Sequence, residues 1–219
     1  MNEADFLLAA GMRLAFTAER RWQVVPLENA CAEITDCLHS NPVYADDGVP
    51  TVRSPDVGWG RLQLDKARLT SEAEYQRRTR RGELKPGDIV LVREGGGTGK
   101  AGIVEDDQRF SLGQRVMMLR PDTARVEPRF LLHQWLSPLI FQEQIVDRMK
   151  GSASPHLNIK VLRRFDLLLP SLVEQRRVVA YLDDLQAKVG WLKGLQAATA
   201  AELDALLPSI LDRAFKGEL

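Results

Sequence analysis

The 219-residue sequence predicts an α+β chain: a mixed α/β domain followed by a long C-terminal helix of coiled-coil type. Three observations carry that prediction. Short β-rich runs bounded by turn residues fill residues 21–170, where most of the prolines and glycines also lie. An apolar stripe at alternating spacings of four and three begins at Val178 and continues over more than four heptads. A hydrophobic content of 44% with 27% charged residues is that of an ordinary globular protein.

In chain order, residues 1–20 form the first unit. Phe6, Ala10 and Leu14, with Leu7 beside them and no proline nearby, predict a short amphipathic helix over 3–20. Residues 21–170 form the second. Within it "GELKPGDIVLVR" reads as a turn set by Pro86-Gly87 and then a strand, and "AGIV" and "RVMMLR" read as further strands. "EPRFLLHQWLSPLIFQEQIVDRMKG" reads as two short helices, broken at Ser137-Pro138 and closed by Gly151. Residues 171–219 form the third. Its stripe comprises Val178, Leu182, Leu185, Val189, Leu192, Gln196, Thr199, Leu203, Leu206 and Ile210, a narrow seam suited to a second helix. Gln196 and Thr199 are polar at seam positions, which in coiled coils lowers stability and fixes register. Leu195 and Ala198 sit one residue earlier, so the stripe also fits one that rotates around a globular core, and Pro208 predicts a kink or a new start.

Charge and cysteine content narrow the function classes. The net charge is zero, but residues 1–50 hold three basic and eight acidic side chains while residues 51–100 hold eleven basic and seven acidic. Basic segments that share a face can neutralise phosphates; scattered, they are only a solvated surface. No run approaches the length needed to cross a bilayer, and the acidic N-terminus does not read as a secretion signal. Cys31 and Cys37 are then expected to be free thiols in a reducing cytoplasm.

Catalytic patterns fail one by one. "VREGGGTGKAGIV" (92–104) suggests a phosphate loop, but Glu94 stands where the first glycine is required and Ala101 where the magnesium-binding hydroxyl is. Flanking strands fit a glycine-rich hairpin better. "NPVY" (41–44) approximates the Asn-Pro-Pro-aromatic tetrapeptide of adenine methyltransferases, yet Val43 replaces its second proline and no methyl-donor glycine turn lies nearby. His39, His133 and His156 are scattered, the two cysteines lack zinc-site spacing, and no nucleophile elbow is present. What remains is binding chemistry. "YQRRTRR" supplies Arg77, Arg78, Arg80 and Arg81; "VRSPDVGWGRL" supplies Arg53, Ser54 and Trp59 between two glycines. Arg93, Thr98 and Lys100 flank the glycine cluster, and "GSASPHLNIK" holds Ser152, Ser154, His156 and Lys160. A solvated helix face for the arginines and a core position for Trp59 are the plainer alternatives.

The order of "GVPTVRSPDVGWGRL", "LKPGDIVLVREGGGTGKAGIV", "GSASPHLNIKVLRRFDLLLPSLVEQRRVVAYLDDL" and "LDALLPSILDRAFKGEL" closely resembles the specificity subunit of type I DNA restriction-modification systems, over residues 21–219. The resemblance implies a target-recognition domain at 21–170 that binds double-stranded DNA, and a helical spacer at 171–219. It implies methyltransferase and endonuclease partner subunits, which would carry S-adenosylmethionine, ATP and magnesium, leaving this chain without cofactor or catalytic role. Members usually hold two recognition domains; this sequence resembles a half-size form. Such a chain would rebuild a two-part reader as a homodimer through Leu182, Leu185, Val189, Leu192, Gln196, Thr199, Leu203 and Leu206. A helical scaffold, a regulatory half-subunit competing with a full-size one, and a nucleotide-binding enzyme using Gly95–Lys100 stand as alternatives.

Overall fold

The computed structural model describes residues 3–17, 22–146 and 156–216. Helix α1 (Glu3–Thr17) precedes the α/β portion, and a 44-residue helix, α6 (Leu172–Phe215), follows it. At 1.5 Å per residue, α6 is about 66 Å long. The α+β class read from the sequence is the class observed.

The central sheet runs β2 (Cys31–Asp36), β10 (Val116–Pro121), β7 (Ile89–Val92), β8 (Ala101–Ile103), β5 (Gly60–Arg61). All four residues of β7 are buried, as expected for an unbroken apolar run in the middle of a covered sheet. Side chains alternate across a strand, so β7 serves two cores. Ile89 and Leu91 join Met117, Leu119, Leu131, Trp135 and Phe165 on one face. Val90 and Val92 join Val52, Val57, Val104, Phe110 and Val116 on the other. Helix α3 (Pro128–Leu136) covers the first face. A small sheet of β3 (Tyr44–Ala45), β6 (Arg68–Thr70), β4 (Val49–Val52) and β9 (Ser111–Leu112) lies beside the second, with helix α2 (Glu72–Arg78) against it. The two-stranded pair β1 (Gln23–Pro26) and β11 (Asp166–Leu169) joins the beginning of this portion to its end.

After α3, the chain turns at Ser137 into α4 (Pro138–Ile140) and a π-helical turn, Phe141–Val146. The predicted closure at Gly151 lies outside the described residues. Helix α5 (Ile159–Leu162), capped by the Asn158 side chain, leads into β11.

A third core sits between α1, α3 and the start of α6 and contains Met12, Phe16, Phe130 and Leu182, with Leu8, Val178, Val179 and Leu185 against it. It corrects two expectations. The inward face of α1 carries Leu8, Met12, Ala15 and Phe16, whereas Leu7, Ala10 and Leu14 are exposed. The seam on α6 also changes role along its length. Leu182 is 0% exposed and Leu185 packs where α1 comes so close that a Cβ on Gly11 would collide with it. Val189 is likewise buried within the chain. The first part of the stripe is therefore satisfied internally and is not free for another copy. The remainder is free: Leu192, Leu203 and Leu206 are 38%, 63% and 55% exposed, and Gln196 and Thr199 are exposed. Pro208 lies inside α6 rather than ending it; lacking an N–H, it leaves the Asp204 carbonyl without its helical donor.

Polar contacts fix α6 to the α/β portion. The fully buried Gln175 accepts from the Glu127 N–H (2.7 Å) and donates to the carbonyls of Arg125 (2.8 Å) and Pro170 (2.9 Å). One helical turn-pair further on, Asp183 meets His133 Nε2 at 2.8 Å and Arg129 at 3.0 Å. Burial holds the His133 imidazole below its usual pKa, against the pull of Asp183, so at neutral pH its Nε2–H donates to the carboxylate.

Candidate nucleic-acid interface

The glycine cluster closes the β7–β8 hairpin, with Leu91 opposite Ala101. Gly95 and Gly99 have φ of +88° and +91°, which L side chains rarely adopt. Three successive amides at the end of the loop are occupied within the hairpin. Thr98 N–H donates to Gly95 O (3.0 Å), Gly99 N–H to Val92 O (2.9 Å) and Lys100 N–H to Gly97 O (3.0 Å). A phosphate loop needs those amides free and a helix following it; here they are bonded and β8 follows. Gly99 is doubly constrained, because its carbonyl accepts from Trp135 Nε1 at 2.9 Å and a Cβ on it would lie 2.6 Å from the Phe141 ring. The bare surface is Gly95–Gly97: a Cβ at Gly96 would meet nothing within 4 Å.

Other segments converge on this hairpin. Ser54 lies on a 3₁₀ turn, Ser54–Asp56, whose start is clamped by Arg53 N–H donating to Asp56 at 2.8 Å, and Ser54 O is 3.9 Å from the place a Gly97 Cβ would take. The β9–β10 turn approaches through Gly113, whose N–H donates to Val52 O at 2.7 Å. Gln114 donates to the carbonyl of the exposed His39 at 2.8 Å. His156, exposed, faces Glu94 at 3.2 Å. Buried polar atoms without a hydrogen-bond partner gather here: among the described residues they are Asp36 Oδ1, Arg53 Nε, Ser54 Oγ and Arg93 Nε, with only Trp22 Nε1 elsewhere. Asp36 Oδ1 and Arg93 Nε face each other at 3.5 Å and Arg53 Nε lies 3.4 Å from Asp56, so three of these four atoms sit within ion pairs.

The sequence candidates divide into groups. Arg53, Lys100 and His156 lie on the rim with partly or fully exposed side chains, and Ser54 lies there with its Oγ buried. Trp59 is 51% exposed, edge-on to Phe141 with centroids 4.8 Å apart, so it is a surface ring and not a core anchor. Arg93 and Thr98 are buried: Arg93 pairs with Glu94 at 2.6 Å and lies 3.5 Å from Asp36, and Thr98 Oγ1 donates to Gly95 O. Arg78 is buried too, bonded to Glu74 (2.7 Å), Ser40 O (2.7 Å) and Leu112 O (3.2 Å), while Arg77 shares Glu74 and reaches Ser40 Oγ at 3.3 Å. Arg78 and Arg93 brace the rim from inside, which differs from the expected set of solvent-facing arginines, whereas the Arg77 side chain remains 40% exposed. Arg80 and Arg81 are exposed past the end of α2, near Glu33, and Lys160 is exposed on α5. Ser152 and Ser154 lie outside the described residues. Sequence reasoning missed His39, Gln114, Arg115 and Phe141; Phe141 alone had a signal, its place in an apolar run after Ser137-Pro138.

The Arg77 guanidinium first, with Arg78 and against burial, holds the Glu74 carboxyl down to about 2. The folded value lies below that of an unfolded glutamate, about 4.3, so this stabilisation is complete above that pH and is lost as pH falls toward 2. Glu74→Gln is expected to lower the unfolding free energy at pH 7 by on the order of 2–3 kcal/mol. The deficit should shrink in denaturant titrations at pH 3; an equal deficit at both pH values would contradict this account. Burial pushes the Cys31 thiol up to about 12 and raises Cys37 as well, which disfavours the reactive thiolate at both.

Among the described residues no group of His, Cys, Asp and Glu is arranged to hold a metal ion, and no helix is long and apolar enough to cross a membrane. The rim thus gathers basic, amide and aromatic groups on a mixed α/β body carried by a long helix. Comparison with known proteins is specific. The family model of the type I restriction modification DNA specificity domain matches residues 52–198. The specificity subunit of the type I restriction enzyme EcoBI from Escherichia coli is 32% identical over 173 residues, 79% of this chain and 36% of that protein. That of EcoKI from Escherichia coli K12 is 25% identical, over 88% of this chain and 42% of its own length. The HsdS subunit of Thermoanaerobacter tengcongensis superposes with a TM-score of 0.66 at 27% identity, covering 99% of this chain and 52% of that one. A chain from a type I restriction-modification complex gives 0.72 at 24% identity, covering 99% and 53%, and shows the shared fold. The chain belongs to the type I restriction-modification specificity subunit family and carries one DNA-recognition domain. It spans well under half the length of the two curated relatives and about half that of the solved ones.

Proposed function

We propose that this chain reads one half of a two-part DNA target for a type I methyltransferase and restriction assembly. In this reading residues 21–170 are the reader, and 1–20 with 171–219 are the spacer that pairs with a second copy and docks methyltransferase subunits. The chain is non-catalytic; S-adenosylmethionine, ATP and magnesium belong to partner subunits in the cytoplasm. The observation that carries the pairing is the exposed stretch of seam from Leu192 to Ile210, which lies beyond the part that α1 and α3 cover. Antiparallel pairing of two such helices sets two recognition domains at opposite ends of one rod. Rim residues Arg53, Ser54, Trp59, Lys100 and His156 are the expected DNA contacts; Arg80, Arg81 and Lys160 fit phosphates farther along the duplex.

The test is a methylation map. The chain is co-expressed with a type I methyltransferase subunit in a host without other adenine methylation, and modified adenines are located by sequencing. A split palindromic motif is the expected result, because two identical readers read two identical half-sites. A split asymmetric motif would require a second, different reader, and no motif from a stable complex would overturn the reader role in favour of a scaffold or competitor.

A further inference from the structure

The β9–β10 turn, Gly113–Arg115, differs from every other part of the rim in its backbone. Arg115 has φ of +67°, the one positive value at a non-glycine residue among the described residues. Glycine takes this conformation freely, whereas a side chain makes it strained. The turn is nonetheless fixed at each residue. Gly113 N–H bonds Val52 O, the Gln114 side chain bonds His39 O, and Arg115 O accepts from Arg93 N–H at 2.8 Å. Beneath it, the N–H groups of Arg115 and Val116 face the Cys37 sulfur. The backbone is held while the side chain is left unclaimed. Arg115 is exposed, and its guanidinium makes no hydrogen bond or ion pair among the described residues. Arg53, Arg77, Arg78, Arg93 and Arg120, by contrast, all face a carboxylate within 3.5 Å. Arg115 Nη1 stands 3.6 Å from the place a Gly95 Cβ would occupy, so its head lies over the bare glycine surface, where a groove can approach most closely.

We propose that Arg115 is a base-reading residue of the recognition domain, its guanidinium taking the O6 and N7 edge of a guanine in the half-site. This rests on the DNA-reading role proposed above. A phosphate contact needs only charge and tolerates a flexible lysine, whereas guanine readout gains its precision from a planar fork aimed in one direction. A strained, fully braced backbone beneath an unpaired arginine supplies that aim.

The experiment compares methylation maps of the co-expressed complex for the wild-type chain, Arg115→Lys and Arg115→Gly, alongside thermal melting of each complex. Arg115→Gly relaxes the backbone, so its melting temperature should not fall. Both variants should relax the requirement at one G·C position of the half-site, with discrimination there reduced roughly tenfold or more and the other positions unchanged. An unchanged motif overturns the proposal, as does a uniform fall in methylation with every position still required, which would make Arg115 a phosphate contact. Melting of Arg115→Gly below wild type would make the side chain structural and also overturn it. A wild-type complex that yields no motif overturns the DNA-reading role itself, a result distinct from a wild-type motif that the variants leave intact.

Discussion

Replacing Trp135 with alanine is expected to destabilise the recognition domain by about 3–5 kcal/mol, a large part of the 5–15 kcal/mol that folds a typical domain. Trp135 is fully buried, stacks on Phe165 with centroids 5.9 Å apart, and donates to the Gly99 carbonyl at 2.9 Å. The substitution removes the apolar contact, opens a cavity, and leaves a hairpin carbonyl without its donor. Trp135→Phe separates these effects by keeping most of the packing while losing the N–H, and should lose only about 1–3 kcal/mol. Its main consequence should be a looser Gly95–Lys100 loop, seen as faster amide exchange at Gly97 and Thr98. Urea denaturation of both variants checks the ranking. A loss below about 1 kcal/mol for Trp135→Ala would mean the indole is not the support we describe.

Aspartate at both Leu203 and Leu206 should convert a dimer to a monomer without unfolding anything. Both side chains are more than half exposed within one chain, so the fold of that chain loses little, within about 0.5 kcal/mol at each surface site. In a paired seam the same carboxylates would be buried against leucines, which is strongly unfavourable. Light scattering should show the mass halved, with the melting of the recognition domain unchanged; a mass that stays dimeric would remove Leu203 and Leu206 from the interface. Leu182→Asp provides the contrast. It places a charge in the core with Met12, Phe16 and Phe130 and should unfold the helical junction outright.

The contrast shows where local pattern stops being informative. A heptad stripe states that one face of a helix wants cover, and it is silent on who provides it. From Val178 to Leu185 the cover is α1 and α3 of the same chain; Leu192, Leu203 and Leu206 are left exposed among the described residues. The hairpin at Gly95–Lys100 was legible because a failed phosphate loop between two β-rich runs leaves few other conformations. The inward face of α1 was not, because Leu7, Leu8, Met12 and Leu14 allow more than one apolar face and only α6 selects between them. For the arginines, one signal was present and unused. Glu74 precedes Arg77 and Arg78 by three and four residues, the spacing at which a helix pairs opposite charges, so both ion pairs were written into α2. Arg93 gave no such notice, since its partner Asp36 arrives from β2, far away in sequence. Arg115 was hidden for a related reason: a positive φ at an arginine is imposed by contacts from Val52, His39 and Arg93, none of them local.

The pairing of β1 with β11 means that the chain goes in and out of the α/β portion through one doorway two strands wide. Seen from the helices, that portion is held beside this doorway by the Gln175 latch, by Asp183 on His133 and Arg129, and by the core that Phe130 shares with α1 and α6. An exposed rim loop can change its residues without touching those contacts, none of which is made by a rim side chain. The distance between two readers in a pair would then be set by the rod and by this junction. What is read and how far apart it is read become separately adjustable, by changes in different parts of the same chain.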